Sequence, residues 1–84
     1  MSSTDLNPGH STSGHKHAGQ EEVYTFIRGK GSMTLTYPDG KISEFDVSSG
    51  DIVLIEDDVH HRVENTGGEE KLYFVCVFDG KRSH

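Results

Sequence analysis

The sequence predicts an all-β barrel or sandwich, on three observations. Short runs of β-branched and aromatic residues recur at even spacing, and glycine-containing turns separate them. No segment carries apolar residues at helical spacing between caps. Glycine accounts for 10 of the 84 residues, above the average share of about 7%, as suits a turn-dense β chain.

The elements follow in order. Residues 1–14 are rich in serine, threonine and glycine, with Pro8 and Gly9 as a turn signal, and read as an N-terminal arm or edge segment. Within it only residues 4–8 have the makings of a strand. The barrel is assigned to residues 15–84. Residues 23–27 form a strand that Gly29, Lys30 and Gly31 end in a turn. Residues 32–37 alternate apolar and polar, placing Met33, Leu35 and Tyr37 on one face. Pro38, Asp39 and Gly40 make a turn, since proline presets φ and glycine accepts a positive one. Residues 42–47 alternate again, with Phe45 and Val47 on one face. After a turn at 48–51, the apolar run 52–55 reads as a short buried strand. Residues 61–65 are short and mixed, 66–69 turn the chain, and 72–78 form the most apolar stretch, expected as the central strand.

Composition bounds the function. Apolar residues make up 31% of the chain, thin for a self-sufficient domain of this size, and a single cysteine, Cys76, excludes an internal disulfide framework. A metal ion, a second subunit or both are the remaining supports. The formal net charge is −6 and the basic residues form no large patch, which argues against a nucleic-acid partner. No apolar run nears the ~20 residues of a membrane span, and the N-terminus lacks the features of a signal peptide. A cytoplasmic protein is the default expectation.

Histidine is where chemistry concentrates. The six histidines stand at 10, 15, 17, 60, 61 and 84, four of them in two tight pairs. In extended chain, His15 and His17 point to the same side and can address one point in space. Glu21 or Glu22 follows closely with a carboxylate, an oxygen ligand suited to Fe, Mn, Ni or Zn. The second histidine pair supplies a further ligand from a distant segment. Any one of these residues alone is more often plain surface; the combination is what carries weight.

Two spaced motifs hold the combination. The first runs Gly9, five residues, His15-Lys16-His17, four residues, Glu22, six residues, Gly29. The second runs Gly50, five residues, Glu56, Asp57, Asp58, two residues, His61, three residues, Asn65. Together they resemble the two conserved motifs of the cupin superfamily in every spacing. The departures are Glu56, where the family has proline, and Asp58, where it has glycine; both fall in the turn before His61.

The resemblance implies a small single-domain cupin, a jelly-roll β-barrel (double-stranded β-helix) with one divalent metal ion per chain. It carries over His15, His17, Glu22 and His61 as metal ligands. Glu22 is preferred to Glu21 because only Glu22 lies seven residues before a glycine. His60, next to the ligand on a strand, is expected to point outward. Tyr24 shares the face of Glu22 and is the candidate catalytic side chain, against the reading of a core aromatic. Cys76 is expected as a small core residue or a neighbour of the metal, and Arg28 as a strand-end charge able to meet an anion.

Three functions fit such a site. One is a metal-dependent isomerase or epimerase acting on a small polar molecule such as a sugar or sugar phosphate. Another is an Fe(II)-dependent dioxygenase, and the third a non-catalytic module that binds a small molecule. Cupins commonly carry further strands before the first motif, and this chain starts close to it. A homodimer is therefore expected, with the N-terminal arm or an edge strand completing the partner's sheet.

Overall fold

The computed structural model describes residues 2–12 and 21–79, and among these it contains seven strands and no helix. The strands are β1 (Ser2–Leu6), β2 (Glu21–Arg28), β3 (Lys30–Thr36), β4 (Ile42–Ser48), β5 (Ile52–Ile55), β6 (His60–Asn65) and β7 (Leu72–Asp79). They form a four-stranded sheet in the order β1-β7-β2-β5 and a three-stranded sheet in the order β4-β3-β6. Every pairing is antiparallel. Most connections cross from one sheet to the other, which is the jelly-roll arrangement the sequence predicts.

Alternation explains the packing. In β2, Glu22, Tyr24 and Phe26 are buried while their neighbours face outward, and β3 and β6 alternate in the same way. Phe26, Met33, Val63 and Leu72 meet in the space between the sheets with no exposed surface. Each contributes roughly 1.5–3 kcal/mol relative to an exposed position. β7 lies between β1 and β2, the central place expected of the most apolar stretch.

Gly29 is where the chain leaves the four-stranded sheet for the three-stranded one. Its φ is +94°, and a Cβ there would stand 2.5 Å from the carbonyl oxygen of Lys71. Only glycine meets both conditions. A register shift between Phe26 and Arg28 prepares the crossing.

Two expectations need revision. The first concerns the N-terminal segment, given as an arm or an edge segment in which only residues 4–8 have the makings of a strand. Residues 2–6 instead pair along the full length of β1 with β7 of the same chain, from Ser2 opposite Cys76 to Leu6 opposite Leu72. Leu6 reaches the core, which gives this polar segment its anchor. The second concerns β5, whose location is as expected but whose burial is not. Ile52 and Leu54 are 70% and 57% exposed, and only Ile55 is buried. β5 is an edge strand with one face outward, and an unbroken apolar run cannot reveal which face that is.

Candidate metal centre

Two segments, one from each sheet, build the described part of the site. β2 begins with Glu21 and Glu22, and the strand period sends Glu22 inward, where it is 2% exposed. β6 begins with His60 and His61; His60 is exposed, as the alternation requires, and His61 is buried. The two buried groups converge, with His61 Nε2 3.2 Å from Glu22 Oε2.

The turn ahead of His61 fixes its imidazole. The Val59 amide donates to the Glu56 carbonyl at 3.4 Å, and Val59 packs in the core. His61 Nδ1 lies 3.2 Å from the Val59 carbonyl oxygen, a contact that an N–H makes favourably. With the proton on Nδ1, the lone pair of Nε2 faces the Glu22 carboxylate. That arrangement suits a cation, because ligating histidines characteristically donate their other N–H to a carbonyl or carboxylate. Adjacent donors on an ion with bonds of about 2.1 Å are roughly 3 Å apart, so the observed separation fits two neighbouring ligand positions. His15 and His17 lie outside the described residues. Among the described residues no set of three or more histidine, cysteine or acidic side chains is grouped to hold an ion.

The surroundings are aromatic and buried. Tyr24 is 5% exposed, meets the His61 ring edge-on at 5.5 Å between centroids, and stacks on Phe74 at 5.4 Å. Burial, and next the nearby Glu22 carboxylate, push the Tyr24 hydroxyl well above its ordinary range, so it stays protonated and acts as a donor. Cys76 faces the same carboxylate, its thiol donating to Glu22 Oε1 at 3.5 Å. Burial and then Glu22 push this thiol up to about 11, so it is neutral at physiological pH. Cys76 is a small member of the buried core, as one reading had it, and at the same time a neighbour of the Glu22 carboxylate. Arg28, after the register shift, is exposed and away from this centre.

Asn65 has a role that spacing alone did not disclose. Its amide nitrogen donates to the carbonyls of Leu6 and Glu70, both at 2.8 Å, and its oxygen accepts from the Gly67 amide. One buried side chain thus ties β1, the end of β6 and the 66–71 turn together. Nearby, residues 9–12 run beside β6: the Gly9 amide donates to the Asn65 carbonyl and the Thr12 amide to the Val63 carbonyl. The signal was in the sequence, since a polar residue closing an alternating strand on its inward parity must find buried partners.

Comparison with known proteins agrees with this architecture. The family described as "Cupin domain" matches residues 2–78. A glucose-6-phosphate isomerase of Thermococcus gammatolerans is 33% identical over 75 residues, covering 87% of this chain and 39% of its own length. Among solved structures, a predicted oxalate decarboxylase of Thermotoga maritima superposes with a TM-score of 0.77 at 32% identity, covering 90% of this chain and 61% of that one. An oxalate decarboxylase of Bacillus subtilis gives a TM-score of 0.83 at 28% identity, over 98% of this chain and 21% of its own. The chain therefore spans about two fifths of the isomerases it matches.

Proposed function

The chain belongs to the cupin family, and from that premise we propose that it is a metal-binding cupin acting on a small polar substrate of the sugar or sugar-phosphate class, in an isomerase-like reaction. The observation that carries the reading is the buried contact between Glu22 and His61, 3.2 Å apart beside the Tyr24 and Phe74 rings between the two sheets. The named isomerases at 33% identity support the substrate class.

The ligand set is His15, His17, Glu22 and His61. The described geometry supports it from both sides. Thr12, three residues before His15, is hydrogen-bonded to β6 at Val63, two residues from His61. Glu22 rather than Glu21 is the inward carboxylate. A divalent ion held there supplies Lewis acidity toward a carbonyl or hydroxyl of the substrate. The protein's own residues do the rest. Val59 holds the His61 ring in the tautomer that presents Nε2. Phe74 and Phe26 exclude water on the β2–β7 side. Tyr24 keeps its proton, so it donates a hydrogen bond to a substrate oxygen rather than acting as a base.

The test couples metal content to turnover. Protein expressed with each of iron, manganese, zinc and nickel is assayed with aldose and ketose phosphates, alongside Tyr24→Phe. Isomerisation by a metal-loaded form, weakened in Tyr24→Phe, is the expected result. Oxygen consumption with a catechol or thiol and no isomerisation would replace this reading with the dioxygenase. Ligand binding with neither reaction would leave a binding module.

A further inference from the structure

The two oxygens of the Glu22 carboxylate face different sheets. Oε2 lies 3.2 Å from His61 Nε2, on β6 of the three-stranded sheet. Oε1 accepts from the Cys76 thiol at 3.5 Å, on β7 of the four-stranded sheet. The carboxylate thus has a histidine side and a thiol side. The register explains why a thiol reaches it. Tyr24 pairs directly with Cys76 across the β2–β7 ladder, and Glu22 pairs with Phe78. Glu22 and Cys76 are therefore diagonal neighbours on the inward face, a separation that longer side chains bridge.

The chemistry of the pair is asymmetric. An ionised carboxylate only accepts hydrogen bonds, so the proton between the two groups belongs to sulfur. Both residues are buried, which removes bulk water as a rival for Oε1. An S–H is a weak donor. It turns the carboxylate without drawing off much of the charge that a cation needs. A guanidinium or ammonium in its place would bind Oε1 strongly and compete with an ion for the same carboxylate. An aliphatic side chain would leave Oε1 free to swing toward the ion.

On the ligand set proposed above, we infer that Cys76 is a positioning residue for the metal centre: its thiol retains Oε1 and leaves Oε2 as the single oxygen that Glu22 offers a divalent cation. A carboxylate binds a cation through one oxygen or through both. With both it takes two coordination positions. With one, a position stays open, and that position can receive an oxygen of the substrate. Cys76 acts on the number of open positions through Glu22, with no bond of its own to the ion.

Two substitutions separate positioning from packing. Cys76→Ser keeps a hydrogen-bond donor, and Cys76→Val fills the space without one. Wild type and variants are stripped of metal and titrated with Co(II), whose visible absorption weakens as its coordination number rises. Cys76→Val is expected to bind cobalt about tenfold more weakly than wild type, with weaker visible bands. Cys76→Ser is expected to keep the wild-type bands and most of the affinity. Wild-type behaviour in Cys76→Val would overturn the inference, since Cys76 then supplies packing alone. A sulfur-to-cobalt charge-transfer band in wild type would also overturn it, since Cys76 would then be a ligand. The second readout needs no metal. Cys76 is the only cysteine of the chain, so the S–H stretching band of the metal-free protein reports this one thiol. The band is expected at lower frequency in wild type than in Glu22→Ala. Equal frequencies, in a wild type that binds cobalt, would overturn the role of Cys76 alone. A wild type that takes up no cobalt would overturn the metal centre and this role with it.

Discussion

The turn at Gly29 and the turn at residues 56–59 both carry the chain between the sheets, the first at the end of β2 remote from Glu22 and the second just before His61, yet they are fixed by different physics. At Gly29 the backbone of residue 71 leaves no room for a Cβ, and φ is positive as well. At the second turn the family pattern calls for proline and glycine, and this chain has Glu56 and Asp58. Asp58 nevertheless has a φ of +64°, the one positive value at a non-glycine position among the described residues. Asp58 thus holds a φ that a glycine would adopt without penalty. One turn is obligatory because the space is full; the other is tolerated because Asp58 is exposed and aspartate is among the residues that visit this region with the least penalty.

The largest expected effect breaks the obligatory turn. Gly29→Ala must push the Lys71 backbone away and hold an unfavourable φ, and a loss of about 3 kcal/mol is expected. For a chain this short that lowers the melting temperature by more than about 10 °C, readable by calorimetry. A loss below about 1 kcal/mol would show that the two turns are equally permissive. Next comes the lock that joins β1, the end of β6 and the 66–71 turn. Asn65→Ala removes three hydrogen bonds and strands the buried Leu6 carbonyl, for an expected loss of about 2 kcal/mol. Hydrogen exchange in β1 should accelerate more than in β3. The smallest effect runs the other way. Asp58→Gly relieves the strained φ and is expected to stabilise by about 1 kcal/mol without changing the metal centre. A destabilised Asp58→Gly protein would mean that the carboxylate itself holds the turn.

Much of this architecture could be read before any coordinates. Alternation located β3 and β4, β-branched, aromatic and apolar runs located β2, β5 and β7, the short mixed stretch 61–65 marked β6, and the strand period put Tyr24 and Phe26 on the face of Glu22. Motif spacing pointed to His61 over His60, and the structure buries the former and exposes the latter. What stayed hidden depends on which strands are neighbours. The strand at residues 2–6 is polar and becomes a strand through its pairing with β7 and the anchoring of Leu6, both remote in sequence. The exposure of Ile52 and Leu54 follows from the edge position of β5, which composition does not encode. The contacts of Asn65 likewise join segments 59 residues apart.

The central claim is that Glu22 and His61 are two members of one metal-binding set, and ion content tests it most directly. Elemental analysis of protein purified from metal-sufficient medium is predicted to find about one divalent ion per chain in the wild type and in His60→Ala. His61→Ala is predicted to lose most of it, with the melting temperature falling toward that of chelator-treated wild type. Full metal content in folded His61→Ala protein, or a wild type that holds no ion and melts unchanged with chelator, would contradict the account.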